Sequence, residues 1–69
     1  MMIQCLQCDK VIFSYLKFGK GHLWHCWKKR IVKDQSIPNG NQVFCPCGNL
    51  IGVDERVWIK LKQHNVYFD

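Results

Sequence analysis

Two pairs of closely spaced cysteines constrain the fold of this 69-residue chain more than any other feature. The first pair is Cys5 and Cys8, in CLQC, and the second is Cys45 and Cys47, in CPCG. Cysteines separated by a single residue are poor disulfide partners, because so small a ring is strained. The two pairs therefore predict that four thiols point to one common bound group.

The size of the chain favours a metal ion as that bound group. One small domain over residues 1–69 buries a limited core and usually needs a disulfide, a metal or a partner for stability. The N-terminus shows no signal-peptide pattern, and no apolar run is long enough to span a membrane. We therefore predict an intracellular protein, cytoplasmic or nuclear and not secreted, where paired cysteines bind metal more often than they form disulfides.

The spacing of the cysteines is typical of a structural zinc site. Zn²⁺ takes four ligands in a tetrahedron, and thiolates are common among them. Each pair ends a strand-like run, so two knuckles can approach one ion from opposite sides. The predicted ligands of Zn²⁺ are Cys5, Cys8, Cys45 and Cys47. Gly48 follows the second pair and permits a left-handed backbone that turns amide groups toward the sulfurs.

Three further residues leave a mixed ligand set open. His22, His25 and Cys26 lie between the two pairs, and a set such as Cys5, Cys8, His25 and Cys47 is an alternative. For His25 and Cys26 we favour the simpler interpretation, a histidine and a small buried thiol in a strand.

The composition predicts a β-rich fold. The chain lacks alanine, the best helix former, and is rich in Ile, Val and aromatic residues, which favour strands. Strands are expected at 2–5, 11–18, 22–34, 42–45, 49–53, 57–62 and 64–68, with turns at 19–21, 36–42 and 54–55. A helix is the alternative over 22–34, but its apolar face would be incomplete. The predicted fold is mainly β, a small antiparallel β-meander stapled by one zinc site of four cysteines from two knuckles.

The charge distribution points to an anionic partner. The formal charge is +5, and seven basic residues but no acidic one lie between Asp9 and Asp34. Zn²⁺ bound by four thiolates lowers the charge by about two units, so the basic excess is modest. Cations neutralise phosphates, and an exposed tryptophan can stack on an unpaired base. The candidate nucleic-acid-binding residues are Lys17, Lys20, Lys28, Lys29, Arg30, Lys33, Trp58, Lys60 and Lys62.

Two other classes of function fit the sequence less well. A zinc-stapled module that binds an unidentified protein is the alternative to nucleic-acid binding, since exposed strand edges can pair with a partner. We do not expect an enzyme, because neighbours on a strand, such as His25 and Cys26, point to opposite faces. No membrane partner or small-molecule substrate is expected.

The cysteine spacing and the C-terminal strands also carry a family resemblance. The first knuckle, QVFCPCGNLIG and the terminal WIKLKQHNVYF are similar to the zinc-binding C-terminal domain of RIG-I-like receptors. More distantly, the chain resembles other β-tent folds, the Yippee proteins and the cereblon ligand-binding domain. The resemblance implies a β-tent fold and RNA binding on a basic face that includes Lys60 and Lys62. Zinc-bearing methionine sulfoxide reductases share the general architecture, but their catalytic cysteine follows the second knuckle, and no cysteine follows Cys47 here.

Overall fold

The fold consists of short antiparallel strands. The computed structural model describes residues 1–17 and 23–68, and the turn predicted at 19–21, Lys20 and His22 lie outside these ranges. Within them the strands are β1 (Met2–Cys5), β2 (Val11–Tyr15), β3 (His25–Trp27), β4 (Ile31–Asp34), β5 (Ile37–Asn39), β6 (Gln42–Phe44), β7 (Leu50–Asp54), β8 (Trp58–Leu61) and β9 (Val66–Phe68). A single turn of 3₁₀ helix, η1 (Lys28–Arg30), separates β3 from β4. No helix in the described ranges has the length and apolar character needed to cross a membrane.

The strands form two antiparallel sheets. One sheet has four strands in the order β4-β2-β1-β9, and the other has five in the order β3-β8-β7-β6-β5. The consecutive strands β5 to β8 form the predicted meander, and β3 joins its edge. The strand β1 lies between β2 and β9, so both ends of the described chain meet in one sheet. The predicted fold class, mainly β and antiparallel with four cysteines brought together, is confirmed.

One predicted element was wrong. Residues 22–34 do not form a single strand, because β3 belongs to the five-stranded sheet and β4 to the four-stranded sheet. The three consecutive cations of η1 are all exposed and lie where the chain crosses between the sheets. A buried unpaired cation is costly, so this run favours a surface crossover over a strand interior. The backbone N–H of Trp27 donates to the Tyr15 hydroxyl at 2.9 Å, which ties the two sheets together at this point.

The turn predicted at 36–42 is present but is narrower than expected. Asn39 pairs with Gln42, so only Gly40 and Asn41 form the loop of the β5–β6 hairpin. Gly40 has a φ of 62°, the left-handed region that two-residue hairpin loops require and that glycine adopts without strain. The other strands match the expected segments to within a few residues at their ends.

A small apolar core lies between the sheets. Its fully buried side chains come from both of them and include Ile3, Ile12 and Phe13 on one side and Cys26 and Ile51 on the other. In β8 the alternation is as predicted, with Ile59 and Leu61 buried and Lys60 exposed. The core is small enough that close backbone contacts matter as much as side-chain volume.

Gly52 provides a test of this close packing. It lies in β7 between Val43 and Leu61, and a Cβ atom built on it would be 2.6 Å from the backbone oxygen of Lys60. We expect Gly52→Ala to lower the free energy of unfolding by about 3 kcal/mol, since backbone must move to admit the methyl group. Denaturant titration of the metal-loaded protein measures this.

Gly40→Ala is the matched control for Gly52→Ala. A Cβ atom at Gly40 has no neighbour within 4 Å, so this variant should lose only about 1 kcal/mol from its left-handed backbone. Equal stability of Gly52→Ala and the wild type would show that the predicted clash is absent.

Candidate metal centre

The two knuckles come from different sheets. Cys5 ends β1, and the turn that follows carries Cys8, whereas Cys45 directly follows β6 and Cys47 lies in the turn before β7. The first turn is closed by the N–H of Asp9, which donates to the carbonyl of Cys5 at 2.8 Å. The metal centre therefore joins the two sheets at one end.

Glycine shapes the second knuckle as predicted. Gly48 has a φ of 99°, and its N–H donates to the carbonyl of Cys45 at 2.8 Å. The N–H of Cys45 in turn donates to the carbonyl of Asn49 at 2.8 Å. The chain thus reverses within five residues and presents both sulfurs of this knuckle on the same side.

The four predicted ligands converge. Their Sγ atoms all lie within 4.8 Å of one another. The Sγ atoms of Cys5 and Cys47 are 3.7 Å apart, and those of Cys8 and Cys45 are 3.5 Å apart. In a tetrahedral site with Zn–S bonds of about 2.3 Å, neighbouring sulfurs are about 3.8 Å apart. All five cysteines are free thiols, so the four are available to bind one metal ion.

The site is half-buried. Cys5 and Cys45 are almost completely buried, whereas Cys8 and Cys47 are exposed at the end of the molecule. Four protein sulfurs fill the coordination of a tetrahedral ion and leave no position for water, so such a site serves structure and not catalysis.

Two asparagines support the sulfurs. The side-chain amide of Asn49 donates to the Sγ of Cys5 at 3.3 Å and to the carbonyl of Asn65 at 3.0 Å. Asn65 donates to the carbonyl of Leu50 at 2.9 Å. Hydrogen bonds of this kind fix ligand orientation and offset thiolate charge. Neither asparagine was predicted as part of the site, although an Asn directly after Cys-x-Cys-Gly is a signal that could have indicated the first.

The buried thiols ionise differently. Desolvation by burial acts to raise the pKa of Cys5, but hydrogen bonds from Asn49 and from backbone groups outweigh it and lower that pKa to about 6. Burial is the main cause that raises the pKa of Cys45 to about 12. A metal ion must therefore displace a proton from Cys45, and metal binding to such a site is coupled to proton release.

Two of the three alternative ligands, Cys26 and His25, lie away from the cysteine cluster. Cys26 is fully buried in the core, and burial followed by the charge of Asp34 raises its pKa to about 12. The ring of His25 contacts the ring of Trp58, with centroids 4.6 Å apart. Neither residue belongs to the metal cluster of the described residues.

The predicted nucleic-acid-binding residues are divided between two regions. Trp58 and Lys60 lie on the outer face of β8, opposite Trp27 and His25 of β3. We call the rings of His25, Trp27 and Trp58 the aromatic surface. The rings of Trp27 and Trp58 meet edge to face, with centroids 4.9 Å apart.

The predicted cations surround this surface unevenly. Lys28, Lys29 and Arg30 form η1 directly after Trp27, and Lys62 follows β8. Lys33 lies on β4 in the other sheet, and the half-buried Lys17 follows β2.

Two acidic residues moderate the local charge. Lys28 forms an ion pair with Asp54 at 2.7 Å, and Lys28 is the largest cause that lowers the pKa of Asp54. The indole N–H of Trp58 donates to Glu55 at 2.8 Å. The charge of Lys28 is thus partly offset, and Trp58 is fixed in place by its side-chain partner.

Comparison of the chain with family models, with curated proteins and with solved structures gave no match. The similarity to RIG-I-like receptor domains stays a prediction. What the protein does must therefore be inferred from its own residues, that is, from the metal centre and from the surfaces around it.

Replacing one ligand tests the assignment of the metal centre. We expect the wild type to bind one metal ion per chain and Cys45→Ser to bind none and to unfold, since a structural site contributes on the order of 10 kcal/mol to folding. Metal analysis after gel filtration, together with circular dichroism before and after addition of a strong chelator, measures both properties.

Cys26→Ala is the matched control, because it removes a buried thiol outside the cluster and should keep the metal. Full metal content in Cys45→Ser would rule out the four-thiolate assignment.

Replacement of Asn49 tests whether its hydrogen bond to the Sγ of Cys5 supports metal binding. Asn49→Asp keeps the shape of the side chain but removes its N–H donors and adds a negative charge beside Cys5. We expect metal affinity to fall about 10- to 100-fold, as for other residues that hydrogen-bond to ligands. Competition with a chromogenic chelator measures the affinity. The exposed Asn41→Asp change in the β5–β6 loop is the control, and equal affinity of the two variants would contradict the assigned role.

Proposed function

We propose that this protein is a small zinc-stabilised domain that binds single-stranded nucleic acid, with RNA as the expected form. The observation that carries the proposal is the aromatic surface of His25, Trp27 and Trp58, with η1 directly beside it. The preference for RNA rests on the resemblance to RIG-I-like receptor domains alone.

The donor set supports zinc as the metal. Soft thiolates favour zinc, copper(I) and iron–sulfur centres, and a lone tetrahedral ion held by four sulfurs is typical of structural zinc. Cys5, Cys8, Cys45 and Cys47 would hold the ion, which supplies no chemistry beyond crosslinking the sheets. The zinc therefore supports the surface and does not contact the partner.

The aromatic surface has the features of a stacking platform. Trp27 is 38% exposed, although it also contacts Trp58, so part of its ring is open to solvent. The hydrogen bond from Trp58 to Glu55 holds the second ring in place, which reduces the ordering needed when a base binds. Stacking of one base on an aromatic side chain contributes roughly 1–3 kcal/mol.

Cations close to the rings can contact the phosphates. Lys29 and Lys60 are exposed, and in the part of the chain that the structure describes neither has an ion-pair partner. Lys60 lies directly opposite His25 across the β3–β8 pair, next to the aromatic surface. Stacking requires unpaired bases, so a single strand fits this arrangement better than a duplex.

Binding of a protein partner is the second candidate. The edge strand β4 carries Val32, which is 66% exposed, and an edge strand offers unpaired backbone groups to an added strand. A pull-down from a nuclease-treated extract distinguishes the two candidates. The domain would still retain a protein partner after the nucleic acid has been removed.

A catalytic role is not proposed. Cys26 is buried in the core while His25 contacts Trp58 on the outer face, so the two do not form a thiol–imidazole pair. The described geometry thus favours binding.

Replacement of Trp27 tests the proposed binding of single-stranded nucleic acid. We expect the metal-loaded wild type to bind a labelled 12-nucleotide single-stranded RNA and Trp27→Ala to bind it about 5- to 150-fold more weakly, since one stacking contact is lost. Fluorescence anisotropy at low salt measures the affinity, with DNA and duplex RNA as comparison ligands.

Ile37→Ala is the control for Trp27→Ala. Ile37 is an exposed apolar residue at the far edge of the same sheet, and its replacement should leave RNA binding unchanged. If the wild type binds none of the nucleic acids at low salt, the proposed function is wrong.

A further inference from the structure

A groove on the four-stranded sheet lies outside both the metal centre and the aromatic surface. It has a volume of about 410 Å³, and its lining includes Met2, Lys10, Ser14, Lys33 and Gln35. Lys33 is a predicted nucleic-acid contact, and it lines the same groove as Lys10.

Strand register explains how the groove is built. Met2 of β1 pairs with Ser14 of β2, and Ser14 pairs with Lys33 of β4, so the three side chains form one row across the sheet. Directly opposite residues share a face of a sheet. Met2 is 41% exposed, which leaves an apolar floor beside a hydroxyl group and a cation.

The groove is cationic. Lys10 and Lys33 are exposed and have no acidic partner among the described residues. The nearest acids in sequence are held elsewhere, because Asp34 accepts from the N–H of Ser36 at 2.8 Å and Asp9 accepts from the hydroxyl of Tyr67 at 3.0 Å. Neither acid lines the groove. Two unpaired ammonium groups above an apolar floor fit a phosphate that is joined to a sugar and a base.

The chain connects this groove to the aromatic surface. Trp27 ends β3, the three cations of η1 follow, and β4 then carries Lys33 into the other sheet. Lys33 is six positions after Trp27 in the chain, so their Cα atoms are at most about 22 Å apart. Three exposed cations therefore lie in the chain between the two regions.

We propose that the groove binds the phosphodiester backbone of the same nucleic-acid strand whose bases stack on the aromatic surface. Lys10 and Lys33 contact phosphate, and Met2 contacts the sugar or base. The Ser14 hydroxyl donates to the Met2 sulfur at 3.5 Å and would turn from it to donate to a phosphate oxygen. The inference rests on the proposed function and extends it to a second sheet. The strand would cross η1 between the two regions.

Charge and shape are tested separately. We expect Lys10→Gln and Lys33→Gln each to reduce the slope of log K against log salt by about 0.7 for a 12-nucleotide single strand, and the double variant to reduce it by about 1.4. Ser14→Phe fills the groove without changing net charge, and should weaken binding about tenfold. Anisotropy titrations between 50 and 300 mM salt measure both effects.

Arg56→Gln is the control, because it removes one exposed charge at the β7–β8 turn, outside the groove. It should change the slope by less than either lysine variant. Circular dichroism and metal content show that each variant remains folded.

The outcomes separate the two proposals. A wild type that binds no nucleic acid overturns both of them. A wild type that binds and depends on Trp27, while Ser14→Phe and the double lysine variant bind with unchanged affinity and slope, overturns the groove alone. The groove is also overturned if Arg56→Gln reduces the slope as much as Lys10→Gln or Lys33→Gln, because the effect would then be one of net charge.

Discussion

Convergence of four sulfurs from two sheets is the constraint on which the rest of the structure depends. Each sheet is made of strands of three to five residues, and short strands with a small core are marginally stable without a crosslink. The four cysteines that could hold a metal ion lie where β1 and β6 end, and an ion bound there would supply that crosslink. With the sheets joined at this end, their outer faces would not need to supply stability and could carry exposed tryptophan and lysine.

The crossover from β3 to β4 connects the scaffold to the proposed function. It moves the chain from one sheet to the other, and it places three cations on the surface between the aromatic surface and the groove. Its position is fixed from both sides: Trp27 donates to Tyr15, and Leu16 donates to the carbonyl of Arg30 at 2.9 Å. A segment predicted as one continuous strand thus links the two regions proposed to bind one strand of nucleic acid.

Local patterns predicted that four cysteines converge. Spacing alone pointed to Cys5, Cys8, Cys45 and Cys47, because cysteine pairs in tight turns are local features. Gly48 was predicted for the same reason, since its backbone geometry is a property of one turn. Asn49 and Asn65 were missed because their hydrogen bonds join the second knuckle to the turn before β9, and these two segments are distant in sequence.

The sequence by itself determined the strand-rich character, the two knuckles and the cationic middle of the chain, because each depends on residue type and short spacing. Tertiary structure decided the rest. It divided residues 22–34 between two sheets, gave Lys28 an acidic partner in Asp54, and aligned Met2, Ser14 and Lys33 across three strands. These features depend on strand register between distant segments, and register is set only when the apolar faces of both sheets pack against each other.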